Sequence, residues 1–375
     1  MRSAGEVLAS RDDFDAMRDP ELIQHDEGAK SSRRAPSAGL PATRPAEAEA
    51  PFDDRDDEIA STWRLVAFNW RLLGGIAGVV VAVLLASEFY VDPSGYVAIF
   101  AIAALYWWFG LRNAHKAPGG NPRVFFSLTA LAQIMLAIPV ILTLTYLTTS
   151  VSLPLLDTRL LAWDRALGFD FLSLLDFVNR HPELIPLIAR AYGSINFQMI
   201  LMVLALPLAG CYLRGAEAVC AYVLALLATT TIAILVPAIG VYQVLGLQPS
   251  DYPYFEPQGY YDTLRDAPLL RAGLLHKLHL TQLVGVVTFP SFHAGAAILY
   301  MWAFWPLRWL RPVVIPWNIV MIVATPLGGG HYLSDILAGI AVSVAAIMVT
   351  AKISQACASN RGGLPSYTLP NRIIS

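Results

Sequence analysis

The sequence predicts an all-α polytopic membrane protein, a helical bundle with about eight transmembrane helices. Three observations predict it: the chain is 56% hydrophobic, only 14% of its residues are charged, and apolar runs recur at the length of a membrane span. Soluble proteins average about 25% charged residues, and a helix needs about 20 apolar residues to cross the hydrocarbon core. The predicted spans are residues 66–87, 95–111, 124–148, 187–212, 217–241, 287–307, 313–329 and 332–352.

The two ends of the chain differ from its body. Residues 1–60 contain nearly twice as many acidic as basic residues and few aromatic ones, so they cannot bury enough apolar surface to fold. We predict a disordered cytoplasmic tail over 1–60 and a second cytoplasmic tail over 353–375. Between them we expect two accessory transmembrane helices in 61–123 and a six-helix membrane domain in 124–352.

Other features of the chain fit a retained membrane protein. The first apolar run starts near Ala67, too late and too long for a secretory signal peptide. The three cysteines cannot all pair and have no metal-ligand spacing, so we predict that they are small buried apolar residues. They are Cys211, Cys220 and Cys357.

The distribution of positive charge predicts the orientation. Cytoplasmic loops of membrane proteins keep an excess of Lys and Arg. On that rule both termini are cytoplasmic, and residues 149–186, 242–286 and 329–332 face outward. Residues 149–186 mix leucines and phenylalanines with four aspartates, a composition that favours an interfacial or re-entrant helix over a span.

Two short motifs combine membrane depth with ionisable residues. Residues 289–295 read FPSFHAG and residues 328–335 read GGGHYLSD. Because a charge inside the bilayer is costly, His293, His331 and Asp335 are candidate functional residues. The last two are spaced i, i+4 and share a helix face. An aspartate so placed can fix the tautomer of the imidazole and raise its basicity, which predicts that the second histidine is a nucleophile.

The surroundings of both histidines favour an anion. Each lies near a predicted helix N-terminus, where free backbone N–H groups and the helix dipole attract negative charge. Ser291 is a natural N-cap, and the glycine run that ends at Gly330 lets backbone amides approach a ligand. We therefore expect a phosphate-binding site.

These motifs resemble the second and third signature motifs of the type 2 phosphatidic acid phosphatase superfamily, which read Pro-Ser-Gly-His and Ser-Arg, five residues, His, three residues, Asp. They are closer to the inositol phosphorylceramide synthase-like branch, whose second motif reads Pro-Ser-Phe/Leu-His and whose third lacks the arginine. Residues 270–273, Leu-Arg-Ala-Gly, also resemble bacterial members of that branch. The resemblance covers roughly residues 150–350 and implies that 124–352 is a catalytic domain, in a bacterial inner membrane.

The resemblance also implies roles for the residues. His331 attacks phosphorus and becomes a phosphohistidine, Asp335 orients it, and His293 protonates the leaving oxygen. No metal and no cofactor are implied. Two family features are missing, because Thr325 stands where the motif arginine belongs and no first motif is present. We expect other cations to bind the phosphate. The candidates are Arg190, Arg271 and Lys277.

Several polar residues have two interpretations. Asp157 and Asp164 are seven residues apart, so they share a helix face that either binds substrate hydroxyls or is solvated. Tyr192, Asn196 and Gln198 either form interhelical hydrogen bonds or line the headgroup pocket.

A metal site is an alternative reading of the two motifs. Two histidines and an aspartate are common metal ligands, but the site needs a third strong ligand. His276 or His279 would have to supply that ligand from the outer segment.

The expected function is transfer of a phosphoryl or phospho-headgroup unit from a phospholipid or lipid phosphate to an alcohol such as inositol or another polyol. One alternative is transfer to water, which makes the protein a lipid phosphate phosphatase. An alternative of a different class is a transporter or scaffold that keeps the fold without the chemistry. Membrane lipids are the expected partners, and nothing in the sequence indicates a nucleic acid.

Overall fold

The computed structural model describes residues 54–114 and 120–359, which are almost entirely helical. Two short strands, β1 (Tyr90–Val91) and β2 (Lys277–Leu278), pair in parallel. The helices of this part of the chain are α1 (Asp54–Leu85), α2 (Pro93–Ala114), α3 (Pro122–Thr149), α4 (Asp157–Ala166), α5 (Phe171–Arg180), α6 (Ile185–Gly193), α7 (Ile195–Leu208), α8 (Tyr212–Leu235), α9 (Val241–Val244), α10 (Gln258–Arg271), α11 (Phe292–Ala303), α12 (Arg311–Gly329) and α13 (Leu333–Ser359).

Six of these helices are long and apolar enough to cross a membrane, namely α1, α2, α3, α8, α12 and α13. A seventh crossing is formed if Pro182–Gly193 and α7, which meet at an angle of 48°, count as one bent span. The prediction of an all-α, multi-pass membrane bundle is therefore confirmed.

Two predicted spans differ from the structure. The span predicted at 187–212 is broken at Ser194 into α6 and α7. The span predicted at 287–307 contains only the 12-residue α11, because Pro290 lacks a backbone N–H and disfavours helix in the residue before it. At 1.5 Å per residue α11 is only about 18 Å long, against about 30 Å for the hydrocarbon core. It packs between α8, α12 and α13.

The predicted boundaries of the tails are also revised. Helix α1 begins at Asp54, inside the predicted 1–60 tail, and α13 continues to Ser359, inside the predicted 353–375 tail. The rest of both tails lies outside the described residues. The outer segment 149–186 forms the ten-residue helices α4 and α5 and enters α6, so no single helix there is long enough to span.

Small residues bring the two motifs together where α11 crosses α13. A Cβ atom built on Gly339 of α13 would lie 2.0 Å from the carbonyl oxygen of Ser291. A Cβ on Gly295 of α11 would lie 2.5 Å from the Ser343 hydroxyl. The backbones can touch only because these positions lack side chains, as is common between membrane helices. All three cysteines are free, but only Cys220 is buried as predicted, whereas Cys211 and Cys357 are half-buried.

A polar anchor holds the outer helix α10 against α3. The Tyr146 hydroxyl and the Arg265 guanidinium both donate hydrogen bonds to the Asp266 carboxylate, the latter through two bonds of 2.7 Å. Burial would raise the pKa of Asp266, but these two donors outweigh it and hold the pKa below its usual value. The segment that leads to the first motif is thereby fixed to the bundle.

Candidate active site

His331 lies in the short connection between α12 and α13. Helix α12 ends where Gly330 adopts a left-handed conformation (φ 67°), which glycine accepts without steric cost. The Gly330 carbonyl accepts a hydrogen bond of 2.8 Å from the Val241 N–H, which fixes the turn from outside. His331 Nδ1 lies 3.3 Å from Asp335 Oδ2, which also accepts the Tyr332 N–H at 3.0 Å. The predicted i, i+4 contact is present, and the side chains of both partners are buried.

A carboxylate on Nδ1 leaves Nε2 as the reactive nitrogen. Because ionised Asp335 can only accept, His331 Nδ1 is the donor and Nε2 carries a free lone pair. A Cβ built on Gly329 would lie 2.6 Å from this Nε2. Nε2 therefore lies against backbone that only glycine leaves accessible.

His293 lies at the first turn of α11. The backbone N–H of Ser291 donates to the carbonyl oxygen of Asp335 (3.0 Å), which ties the start of α11 to the start of α13. The imidazole of His293 stacks on the ring of Tyr192 in α6, with centroids 3.9 Å apart and ring planes 9° apart. The Tyr192 hydroxyl in turn lies 2.7 Å from the Cβ position at Gly329. Both motif histidines thus border one aromatic ring.

Ser291 occupies the predicted N-cap position of α11 but does not cap the helix. Its hydroxyl makes no capping hydrogen bond, and it is buried with no partner among the described residues. The free N–H groups of the first turn are therefore not satisfied by this side chain, as a site for an anionic ligand requires.

The structure places both aspartates of α4, Asp157 and Asp164, inside the protein. Neither forms a solvated face, because both are buried and accept hydrogen bonds from backbone N–H groups of the protein. Asp164 accepts the N–H groups of Leu333 (2.7 Å) and Ser334 (2.9 Å), the first two residues of α13. It therefore caps the helix that carries Asp335.

Asp157 also accepts hydrogen bonds next to the turn that contains His331. Its Oδ1 accepts the Ile239 and Gly240 N–H groups at 3.0 and 2.9 Å and the Tyr332 hydroxyl at 2.9 Å. The residue after His331 is thus linked to the segment that leads into α9. A seven-residue spacing indicates a common face, and here that face points inward.

The three predicted cations have different surroundings. Arg271 donates to the Leu153 carbonyl (2.5 Å) and lines a narrow groove that extends to Phe289, the first residue of the first motif. Lys277 lies 3.9 Å from Asp92, and its contacts do not involve either motif. Arg190 is exposed and has no polar partner among the described residues. Arg271 thus shares a groove with a motif residue, and Arg190 lies two residues before Tyr192, which stacks on His293.

Thr325 does not replace the missing arginine. Its side chain is fully buried within α12, and its hydroxyl donates to the Met321 carbonyl oxygen at 2.8 Å.

The polar residues of the bent span are also assigned. Gln198 accepts from Asn318 at 2.8 Å and so links α7 to α12, whereas Asn196 is exposed.

The histidines proposed as third metal ligands lie elsewhere. His276 lies 3.5 Å from Glu88, and His279 lies 3.3 Å from Asp92, both in the connection between α1 and α2. Within the ranges that the structure describes, no three His, Cys, Asp or Glu side chains group as metal ligands. The metal-site interpretation gains no support from this placement.

Comparison with known proteins identifies one family. The model of the PAP2 superfamily matches residues 158–349, just over half of the chain, and this range includes both motifs. No curated protein and no solved structure gives a significant match.

Proposed function

Because this chain belongs to the PAP2 superfamily, we propose that it is a membrane lipid phosphotransferase that works through a phosphohistidine. It moves a phosphoryl or phospho-headgroup unit from a phospholipid or lipid phosphate to an alcohol such as inositol, and we place it in the inositol phosphorylceramide synthase-like branch. Family membership supports lipid phosphate chemistry of the phosphatase or phosphotransferase type in a multi-pass membrane protein. The donor, the acceptor and the residue roles are our proposal.

The observation that carries the proposal is the buried pair of His331 and Asp335 at the start of α13. Their 3.3 Å contact leaves Nε2 beside the glycine run. The free backbone N–H groups at the N-terminus of α11, and the positive end of its dipole, lie on the same side as this nitrogen. The surrounding helices lower the local dielectric constant. A buried nucleophile beside an anion-binding helix end is what in-line phosphoryl transfer needs.

The reaction then has two displacements. In the first, His331 Nε2 forms a bond to phosphorus, the bond to the lipid oxygen breaks, and His293 donates a proton to that oxygen. Asp335 stabilises the positive charge on the imidazole. In the second, His293 removes a proton from the acceptor hydroxyl, whose oxygen attacks phosphorus and releases His331. The enzyme ends with its original proton and charge.

The burial of the site supports an alcohol as acceptor over water. The side chains of His331 and Asp335 are 5% and 0% exposed, so bulk water has little access to the nucleophile. A site that excludes water protects a phosphohistidine from hydrolysis until an acceptor binds. The distribution of positive charge supports an outward-facing site with both termini cytoplasmic, and we include that orientation in the proposal.

Purified protein in detergent micelles tests the proposal. Short-chain phosphatidic acid and phosphatidylinositol are each supplied with and without added inositol, and mass spectrometry quantifies free phosphate and phosphorylated polyol. We expect transfer products that disappear in His331→Ala and persist in His181→Ala, a matched change in the outer segment. Activity that survives in His331→Ala would contradict the mechanism.

The same assay separates the alternatives. Release of inorganic phosphate that is unaffected by inositol would assign the protein as a phosphatase with the same histidine chemistry. No turnover of either lipid would favour a transporter or scaffold on this fold. Full activity after exhaustive chelation would exclude the metal-dependent reading.

A further inference from the structure

We propose that Tyr192 is a phosphate ligand of this site, and that its ring positions His293. The hydroxyl takes over part of the role that the family pattern gives to an arginine at position 325. This inference rests on the proposed function, because it assumes a phosphoryl group at His331.

The Tyr192 hydroxyl lies close to the nitrogen that would attack phosphorus. The hydroxyl and His331 Nε2 are 2.7 and 2.6 Å from one common point, the position that a Cβ on Gly329 would take. A phosphorus atom attacked by Nε2 starts about 3–3.5 Å from it, so its oxygens come within hydrogen-bond reach of this hydroxyl. The phenol therefore borders the space in which the reaction takes place.

This hydroxyl makes no hydrogen bond with any residue that the structure describes. Three other tyrosines around the bundle behave differently. Tyr242 donates to the Leu327 carbonyl oxygen at 3.0 Å, and Tyr332 donates to Asp157 at 2.9 Å. Tyr300 donates to the Ile195 carbonyl oxygen at 2.7 Å. Tyr192 is half-buried, so its hydroxyl is accessible and has a donor available for a ligand.

Three glycines reserve space for the ring. A Cβ on Gly328 would lie 2.6 Å from a ring carbon of Tyr192, and a Cβ on Gly259 of α10 would lie 2.3 Å from its hydroxyl. The Cβ position at Gly329 is also close to the phenol, 2.7 Å from its hydroxyl. Two separate elements, α10 and the end of α12, therefore both omit side chains where the phenol lies.

The stacking gives the ring a second role. Tyr192 and His293 are parallel at 3.9 Å, so the ring limits rotation of the imidazole that donates the proton. No side-chain hydrogen bond to another described residue holds His293. The ring of Tyr192 is thus the contact that orients this histidine.

Variants of the full-length protein separate these roles. Tyr192→Phe removes only the hydroxyl and keeps the stack, whereas Tyr192→Leu removes both. Tyr254→Phe, at an exposed outer position, deletes the same atom elsewhere and is the matched control. The readouts are kcat and KM with phosphatidic acid and phosphatidylinositol, the pH profile of kcat, the affinity for orthovanadate and the thermal unfolding temperature.

For Tyr192→Phe we expect orthovanadate to bind about tenfold more weakly, since a hydrogen bond to an anion is lost. We expect kcat to fall on the order of 100-fold, as for loss of one transition-state donor. The unfolding temperature should match that of the control. Tyr192→Leu should lose more activity and also shift the pH profile, because His293 is no longer held.

Equal orthovanadate affinity in the wild type and in Tyr192→Phe would overturn the inference, as would wild-type kcat in that variant. Failure of the proposed function is seen separately, as the absence of lipid turnover in the wild type. The orthovanadate measurement does not depend on turnover, so it decides the inference in either case.

Discussion

The role of Asp164 gives the sharpest contrast between the sequence and the structure, and Asp164→Asn tests it. On the sequence alone, this carboxylate either binds substrate hydroxyls or is solvated. In the structure it accepts two backbone N–H groups at the start of α13, at 2.7 and 2.9 Å, and is 1% exposed. Replacement by asparagine keeps the size of the side chain but removes the charge and one acceptor oxygen.

The magnitude follows from those two bonds. A hydrogen bond to a charged group contributes about 1.5–3 kcal/mol, and a charge at a helix N-terminus adds about 0.3–1 kcal/mol. Asparagine can still accept one N–H, so we expect Asp164→Asn to lower the free energy of unfolding by roughly 2–4 kcal/mol. For a protein of this size that corresponds to roughly 3–5 °C in unfolding temperature.

The effect should extend to activity, because α13 carries Asp335 and begins just after His331. A displacement of the catalytic group by about 1 Å can cost about 100-fold in rate. We therefore expect kcat to fall and KM to change little. Thermal unfolding in detergent and steady-state kinetics on the same preparation measure both.

Asp176→Asn is the control, since this exposed carboxylate pairs with Arg180 one turn away in α5. Its loss should change the free energy of unfolding by less than about 1 kcal/mol. An Asp164→Asn variant with an unchanged unfolding temperature and a raised KM would refute the reasoning. That result would return Asp164 to the role of a substrate ligand.

Two further predictions concern the glycine run and the anchor of α10. Gly329→Ala should abolish turnover, because the new Cβ would lie 2.4 Å from the His331 ring. Gly78→Ala in α1 is the control, since no atom lies within 4 Å of its Cβ position, and it should leave turnover unchanged. Steady-state kinetics of the two variants check this. Asp266→Asn should lower the unfolding temperature at pH 7. Because the folded pKa of Asp266 is below the unfolded value, its stabilisation is complete above about pH 4 and declines as the pH falls through the folded pKa. Unfolding scans from pH 7 to pH 3 should therefore show the variant converging with the wild type, and a constant difference would contradict this assignment.

The sequence predicted the fold class and the contact between His331 and Asp335 well, for physical reasons. Apolar runs of span length and the scarcity of charge report the membrane directly. An i, i+4 spacing at a helix start fixes the distance between His331 and Asp335 by local geometry alone. These inferences need no knowledge of how distant parts of the chain meet.

The rest depended on tertiary contacts that no local pattern encodes. The stack of Tyr192 on His293 joins residues about a hundred positions apart. The inward face of α4 could not be distinguished from a solvated one, because the partners of Asp157 and Asp164 lie in other segments. The glycine run at Gly328 and Gly329 was the available signal. It indicated that another group approaches the backbone closely there, but not that the group is the ring of Tyr192.

The central claim is that His331 becomes phosphorylated during turnover. The most direct measurement is rapid alkaline quenching of the wild-type protein during turnover of phosphatidic acid and of phosphatidylinositol, followed by mass spectrometry of the peptide that contains residue 331. Alkaline conditions preserve phosphohistidine, and the mass of the adduct shows whether a bare phosphoryl group or a phospho-headgroup is carried. We predict an adduct on His331 that appears only with substrate and is lost in His331→Ala. Turnover in the wild type without such an adduct, and at the same rate in His331→Ala, would contradict the account.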